Sequence, residues 1–112
     1  MKTHYNYVAY FPRTNRIKIG MTGNPDKRVT FYRQEVGHHG IGHVAFVRGD
    51  AQEKLVTTLV EQTMRDRLRG LAIKGHFEWF IGDVEDFRAA IAMTAELQKE
   101  VHSQLYEESA HA

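Results

Sequence analysis

The sequence predicts an α/β fold of the α+β kind, a small three-stranded, mostly antiparallel sheet flanked by helices and formed as one domain over residues 1–112. Three observations predict it. Two short runs of strand character are joined by a polar turn near the N-terminus. Apolar residues at three- and four-residue spacing then mark helices on either side of a third strand-like run. No repeat, low-complexity tract or Pro/Gly/Ser-rich linker divides the chain.

The elements follow in order. Tyr5–Phe11 is rich in aromatic and β-favouring residues and stops at Pro12, which reads as a strand. Arg13-Thr14-Asn15-Arg16 is a polar turn, and residues 17–21 place Ile17, Ile19 and Met21 on one face, so the two runs form a hairpin. Thr22-Gly23-Asn24-Pro25-Asp26 is a helix start: Asn24 caps, Pro25 suits the first helical position and Asp26 complements the positive end of the dipole. That helix runs to about Val36 with Val29, Tyr32 and Val36 on one side, and residues 41–47 form the third strand. Residues 51–69 are the clearest helix, with Leu55, Val56, Leu59, Val60, Met64 and Leu68 as its stripe and Gly70 as its stop. After a loop at residues 73–75 comes a short aromatic element, residues 77–81. Asp83 caps a last helix, residues 83–108, with Val84, Phe87, Ile91, Leu97, Val101 and Leu105 on its apolar side. The order is ββαβαα.

Composition narrows the function classes. No cysteine is present, which excludes disulfides and thiolate metal sites and fits a reducing compartment. The N-terminal residues lack an apolar core of signal length and no apolar run reaches a membrane span, so a cytoplasmic protein with no membrane partner is expected. The net charge of +1 is unevenly spread: residues 1–74 hold 13 Lys/Arg against 6 Asp/Glu, and residues 75–112 hold 2 against 8. The first part can present a basic surface to a polyanion, and the two parts can equally neutralise each other in the fold.

The candidate chemistry lies in five polar side chains. Tyr7 and Lys18 are on the hairpin strands, and Arg28 and Tyr32, one turn apart, share a face of the first helix. Glu61 falls at the edge of the second helix's apolar stripe, where a carboxylate is partly desolvated. Singly, each has a plainer reading: a strand tyrosine packs, a helix arginine is solvated, and an edge glutamate pairs with a neighbour such as Arg65. Together they are the parts needed to hydrolyse a phosphodiester with one metal ion: cations for the phosphate, a carboxylate for the metal and a phenol to orient or deprotonate water. The histidines compete for attention. His38, His39 and His43 cluster near a glycine-rich loop and offer Zn²⁺ ligands with His76, but their spacing fits no closed zinc signature.

Tyr5-Asn6-Tyr7, ten residues, then Lys18-Ile19-Gly20, followed by Met21-Thr22-Gly23-Asn24-Pro25-Asp26-Lys27-Arg28, resembles the paired motifs of the GIY-YIG endonuclease superfamily, in the phage and fungal branch. Glu61 and Glu78-Trp79-Phe80 stand where that branch carries a helix glutamate and a later Glu-Trp-Phe. The resemblance implies a divalent-metal-dependent DNA endonuclease. In it Tyr7 lies at the attacking water, Lys18 occupies a position the family fills with tyrosine, Arg28 stabilises the phosphate, Tyr32 is a further active-site tyrosine, and Glu61 binds Mg²⁺ or Mn²⁺. The alternatives are a catalytically inactive nucleic-acid-binding module and a protein-interaction module, with a possible homodimer along the acidic last helix.

Overall fold

The computed structural model describes residues 1–39, 42–73 and 75–107. Strands β1 (Tyr5–Phe11), β2 (Arg16–Thr22), β3 (Ala45–Arg48), β4 (Ala72–Ile73) and β5 (His76–Ile81) form one sheet in the order β3-β1-β2-β5-β4, and every described pair is antiparallel. Helices α1 (Pro25–His39), α2 (Lys54–Arg67) and α3 (Val84–His102) accompany it. The expected three-stranded sheet is therefore corrected to five strands. The aromatic element of residues 77–81 is the fourth partner, paired with β2 from Arg16↔Ile81 to Lys18↔Trp79, and the presumed loop before it supplies the two-residue β4. Period-two spacing identifies a strand but not its neighbour, and two residues carry no period at all.

The β1–β2 hairpin forms as its sequence dictates. Tyr5 faces Thr22 and Phe11 faces Arg16, and the turn closes with Asn15 at φ +51°, a left-handed conformation that asparagine tolerates well. Asn15 is held there on two sides, by the Tyr10 hydroxyl at 3.1 Å and by the Gly82 amide donating to its carbonyl at 2.9 Å.

The sheet has a core on each face. On one, Val8, Tyr10, Ile17, Ile19 and Phe80 meet Val56, Val60 and Met64 of α2 and Phe87, Leu97 and Val101 of α3. On the other, Tyr7, Ala9, Phe11 and Trp79 meet Tyr32 and Val36 of α1. The molecule is thus α1, sheet, and the α2–α3 layer, held by apolar burial on both sides.

Several boundaries move. The second helix begins at Lys54 rather than residue 51, because Gln52 bridges to His4 in extended pairing. The third strand begins at Ala45, and Gly40 and Ile41 lie outside the described residues, as do the side chains of His38, His39 and His76. Asp83 caps α3 as expected, accepting from the amides of Glu85 and Asp86 in a capping box with Asp86. The α-helix ends at His102 in a π-helical turn over residues 103–107, and Phe87, Ala90, Leu97 and Val101 are buried. Of the expected apolar stripe, Phe87, Leu97 and Val101 are spent on the core, while Val84 is exposed. Among the described residues no helix is long and apolar enough to cross a membrane.

A buried polar knot ties β1 to both helices. Asn6 is 1% exposed; its amide donates to the Thr57 carbonyl at 2.9 Å and its side-chain oxygen accepts from Gln98 at 3.2 Å, while its backbone carbonyl accepts from Gly49. Asn6→Ala leaves the Thr57 carbonyl and the Gln98 amide without these partners in a dry site, and a loss of about 2 kcal/mol in chemical denaturation is expected.

Candidate functional site

The ladder between β2 and β5 ends at the Lys18↔Trp79 pair, and groups from both faces of the sheet meet beside it. From the α1 face come Tyr7, Lys18, Arg28 and Tyr32. From the α2 face come Glu61 and, one turn on, Arg65. Glu78, next to Trp79 on β5, links the two sets.

Tyr7 is placed by β1 directly opposite Gly20, and its ring lies over that residue: a Cβ on Gly20 would stand 2.7 Å from Tyr7 Cε2. Only glycine lets the phenol cross its neighbouring strand this closely. The Tyr7 hydroxyl then meets the Tyr32 hydroxyl at 2.8 Å. Tyr32 reaches inward because Asn24 caps α1, accepting from the Lys27 amide at 3.1 Å, and so fixes the helix start two turns before it. Both phenols are held above the ordinary tyrosine range, Tyr7 far above it. Burial is the main cause for each; for Tyr7 the hydrogen bond to Tyr32 adds to it, and the Arg28 charge partly opposes it in both. They are neutral hydroxyls at physiological pH.

Lys18, its side chain 12% exposed, forms an ion pair with Glu78 and lies 5.6 Å from the centre of the Trp79 ring. Glu61, 8% exposed on α2, faces Glu78 closely enough for the two carboxyls to share a proton, and Arg65 Nε lies 3.8 Å from it. Burial first, and then the Glu78 charge, raise the Glu61 pKa above the usual carboxylate value against the pull of Arg65 and Lys18. Burial would raise Glu78 as well, but the Lys18 hydrogen bond and charge outweigh it and hold Glu78 below that value. The two carboxyls are therefore shifted in opposite directions, Glu61 upward and Glu78 downward.

The five side chains singled out in the sequence lie in one connected group, Tyr7 with Tyr32 and Arg28, and Lys18 and Glu61 with Glu78. Glu78, which is not among those five, is ion-paired with Lys18 and neighbours Glu61. The signal was a single carboxylate inside an aromatic strand run, Phe77-Glu78-Trp79-Phe80, where a charge needs a partner. Among the described residues no group of three or more His, Cys, Asp or Glu side chains gathers to hold a metal ion. The carboxylates that could supply oxygen ligands to a hard divalent cation keeping most of its waters are Glu61 and Glu78.

The T5orf172 domain model matches residues 4–95, most of the chain. The chain belongs to the T5orf172 domain family. The T5orf172 match begins at the bridge residue His4 and takes in the whole sheet, α1, α2 and the first half of α3. It overturns the resemblance to the GIY-YIG superfamily, which rested on YNY, KIG with the turn to Arg28, Glu61 and Glu78-Trp79-Phe80 in order. Those tripeptides lie on the two strands of one hairpin and meet at Tyr7↔Gly20, so their spacing follows from hairpin length. No curated protein and no solved structure matches the chain significantly.

Proposed function

We propose that this domain is a divalent-metal-dependent endonuclease that hydrolyses phosphodiester bonds in DNA. The observation that carries the reading is the carboxylate pair Glu61–Glu78 set among Lys18, Arg28 and Arg65 with two neutral phenols at its side. Glu61 and Glu78 would hold Mg²⁺ or Mn²⁺, which supplies Lewis-acid charge at a phosphate oxygen. Arg28 and Lys18 neutralise the phosphate. Tyr7 and Tyr32, kept protonated by burial, orient the attacking water and the phosphate oxygens as hydrogen-bond groups; they are not the base. Water adds to phosphorus as the bond to the leaving oxygen breaks, and the proton that water releases passes through solvent to the leaving oxygen. The excess of Lys/Arg in residues 1–74 supports a polyanionic partner.

The test is cleavage of end-labelled DNA by the full chain with Mg²⁺ or Mn²⁺ and with chelator. Cutting that requires the metal and falls by roughly 10²-fold in Arg28→Ala and in Lys18→Ala is expected. Equal cutting in chelator, or in the two variants, sinks the reading. Salt-sensitive DNA binding with no cutting at any metal concentration replaces it with a binding module.

A further inference from the structure

A second cavity opens directly beside the cleft. It encloses about 360 Å³ and is lined mainly by the rings of Phe11, Phe31, Tyr32 and Trp79, with Arg16 and Glu35 as its charged lining. That volume is within the range of pockets that bury small ligands. Phe11 and Trp79 are 5.3 Å apart between ring centres, and Phe31 meets Tyr32 edge-on at 5.6 Å, so rings line two sides of the space. Phe31 is 49% exposed. A half-exposed phenylalanine facing a partly exposed tryptophan across an apolar hollow is unneeded for the core, whose α1 contribution is Tyr32 and Val36.

Two connections say what fits there. Tyr32 belongs to both sites: its ring lines the hollow while its hydroxyl bonds Tyr7 in the cleft. Phe31 in turn separates the hollow from a basic notch of about 220 Å³ formed with Asn24, Lys27 and Arg28. An apolar aromatic slot flanked by cations on one side and by the phosphate cleft on the other matches a nucleotide, whose base is a flat π-face and whose backbone is anionic. In a duplex both faces of each base are covered by its neighbours, and only an unpaired base presents one to a side chain.

We propose that this hollow seats a nucleobase of an unpaired nucleotide, so that the domain takes single-stranded or locally unpaired DNA. The inference rests on the reading that nucleic acid occupies the adjacent cleft. Trp79 is the only tryptophan of the chain; it lines the hollow and lies 5.6 Å from Lys18, so the abasic strand separates quenching by a base in the hollow from quenching by backbone beside Lys18. The full chain, in chelator so that nothing is cut, is titrated with a short single-stranded oligonucleotide, with the same strand as a duplex, and with an abasic strand of equal length. Saturable quenching by the single strand alone is expected. Phe31→Ala, an exposed position whose loss the fold tolerates, should weaken single-strand binding about tenfold and leave abasic binding unchanged. Equal quenching by duplex or abasic strand, or unaltered binding in Phe31→Ala, overturns the assignment. Quenching without metal-dependent cutting overturns the nuclease alone, and cutting without quenching overturns the hollow alone.

Discussion

Glu61→Gln is expected to abolish cleavage, by roughly 10³-fold or more, and at the same time to make the domain harder to unfold on the alkaline side of the Glu61 titration. The two effects have one origin. Glu61 is buried on α2 against a second carboxylate, and its pKa is raised by burial first and by Glu78 next. A carboxyl with a raised folded-state pKa binds its proton more tightly folded than unfolded. Its contribution to stability is complete below the ordinary glutamate value and is lost as pH climbs through the folded value. Above its raised folded-state value the wild-type domain carries an ionised, poorly solvated Glu61 that opposes folding. Glutamine keeps the shape, removes the charge and donates to Glu78 as the protonated acid does. Thermal melting at about pH 8 should show an increase of roughly 3 °C for the variant, and the gain should fade as pH falls toward the acid range where wild-type Glu61 is protonated. Cleavage by the wild type should rise with pH over that same window, since a protonated Glu61 offers the cation a poorer ligand. Unchanged cutting in Glu61→Gln removes Glu61 from the site. Lost cutting with lower stability at every pH shows that Glu61 is a structural ion-pair partner of Arg65.

What the sequence reveals of this fold is what local chemistry decides. The polar turn ending at Asn15, the Asn24–Pro25 helix start and the Asp83 cap each depend on residues within a turn of one another, and all three form where they are read. The pairing of β5 with β2 depends instead on residues about 60 positions apart, and β4 is too short to announce itself. The start of α2 yields to a tertiary bridge, His4 to Gln52, against a periodicity that runs three residues further back. The site divides in the same way. Arg28 and Tyr32 share a helix face by spacing, and Glu61 sits at the stripe edge where the wheel puts it. Glu78 acquires its place only because β5 docks beside Lys18, a neighbour no local pattern names. Family membership was the least legible part: two tripeptides describe a hairpin, while the match that decides it draws on residues 4–95 together.

The second large effect is at a residue with no side chain. Gly20→Ala is expected to cost about 3 kcal/mol and to cut activity by roughly 10²-fold, although residue 20 has no chemistry to lose. The Tyr7 ring occupies the space a Cβ would take, with Cε2 at 2.7 Å, and Tyr7 is itself 3% exposed, packed at 5.0 Å on Phe46 and bonded to Tyr32. Neither partner has room to give. The strand backbone is pinned by the Tyr7↔Gly20 pairing within seven consecutive pairs, and the ring is enclosed on its far side by Phe46 and Tyr32. The phenol must therefore swing out, taking its hydroxyl from Tyr32 and from the cleft. A double-mutant cycle isolates this cause. In a Tyr7→Ala background the clash is absent, so Gly20→Ala should then cost less than about 1 kcal/mol, and the coupling between the two positions should be on the order of 2 kcal/mol. Strict additivity would place the penalty in the backbone of β2 and remove Tyr7 from the explanation. Coupling with activity retained in Gly20→Ala would leave the packing argument standing and show that the Tyr7–Tyr32 hydroxyl pair is not needed for the reaction.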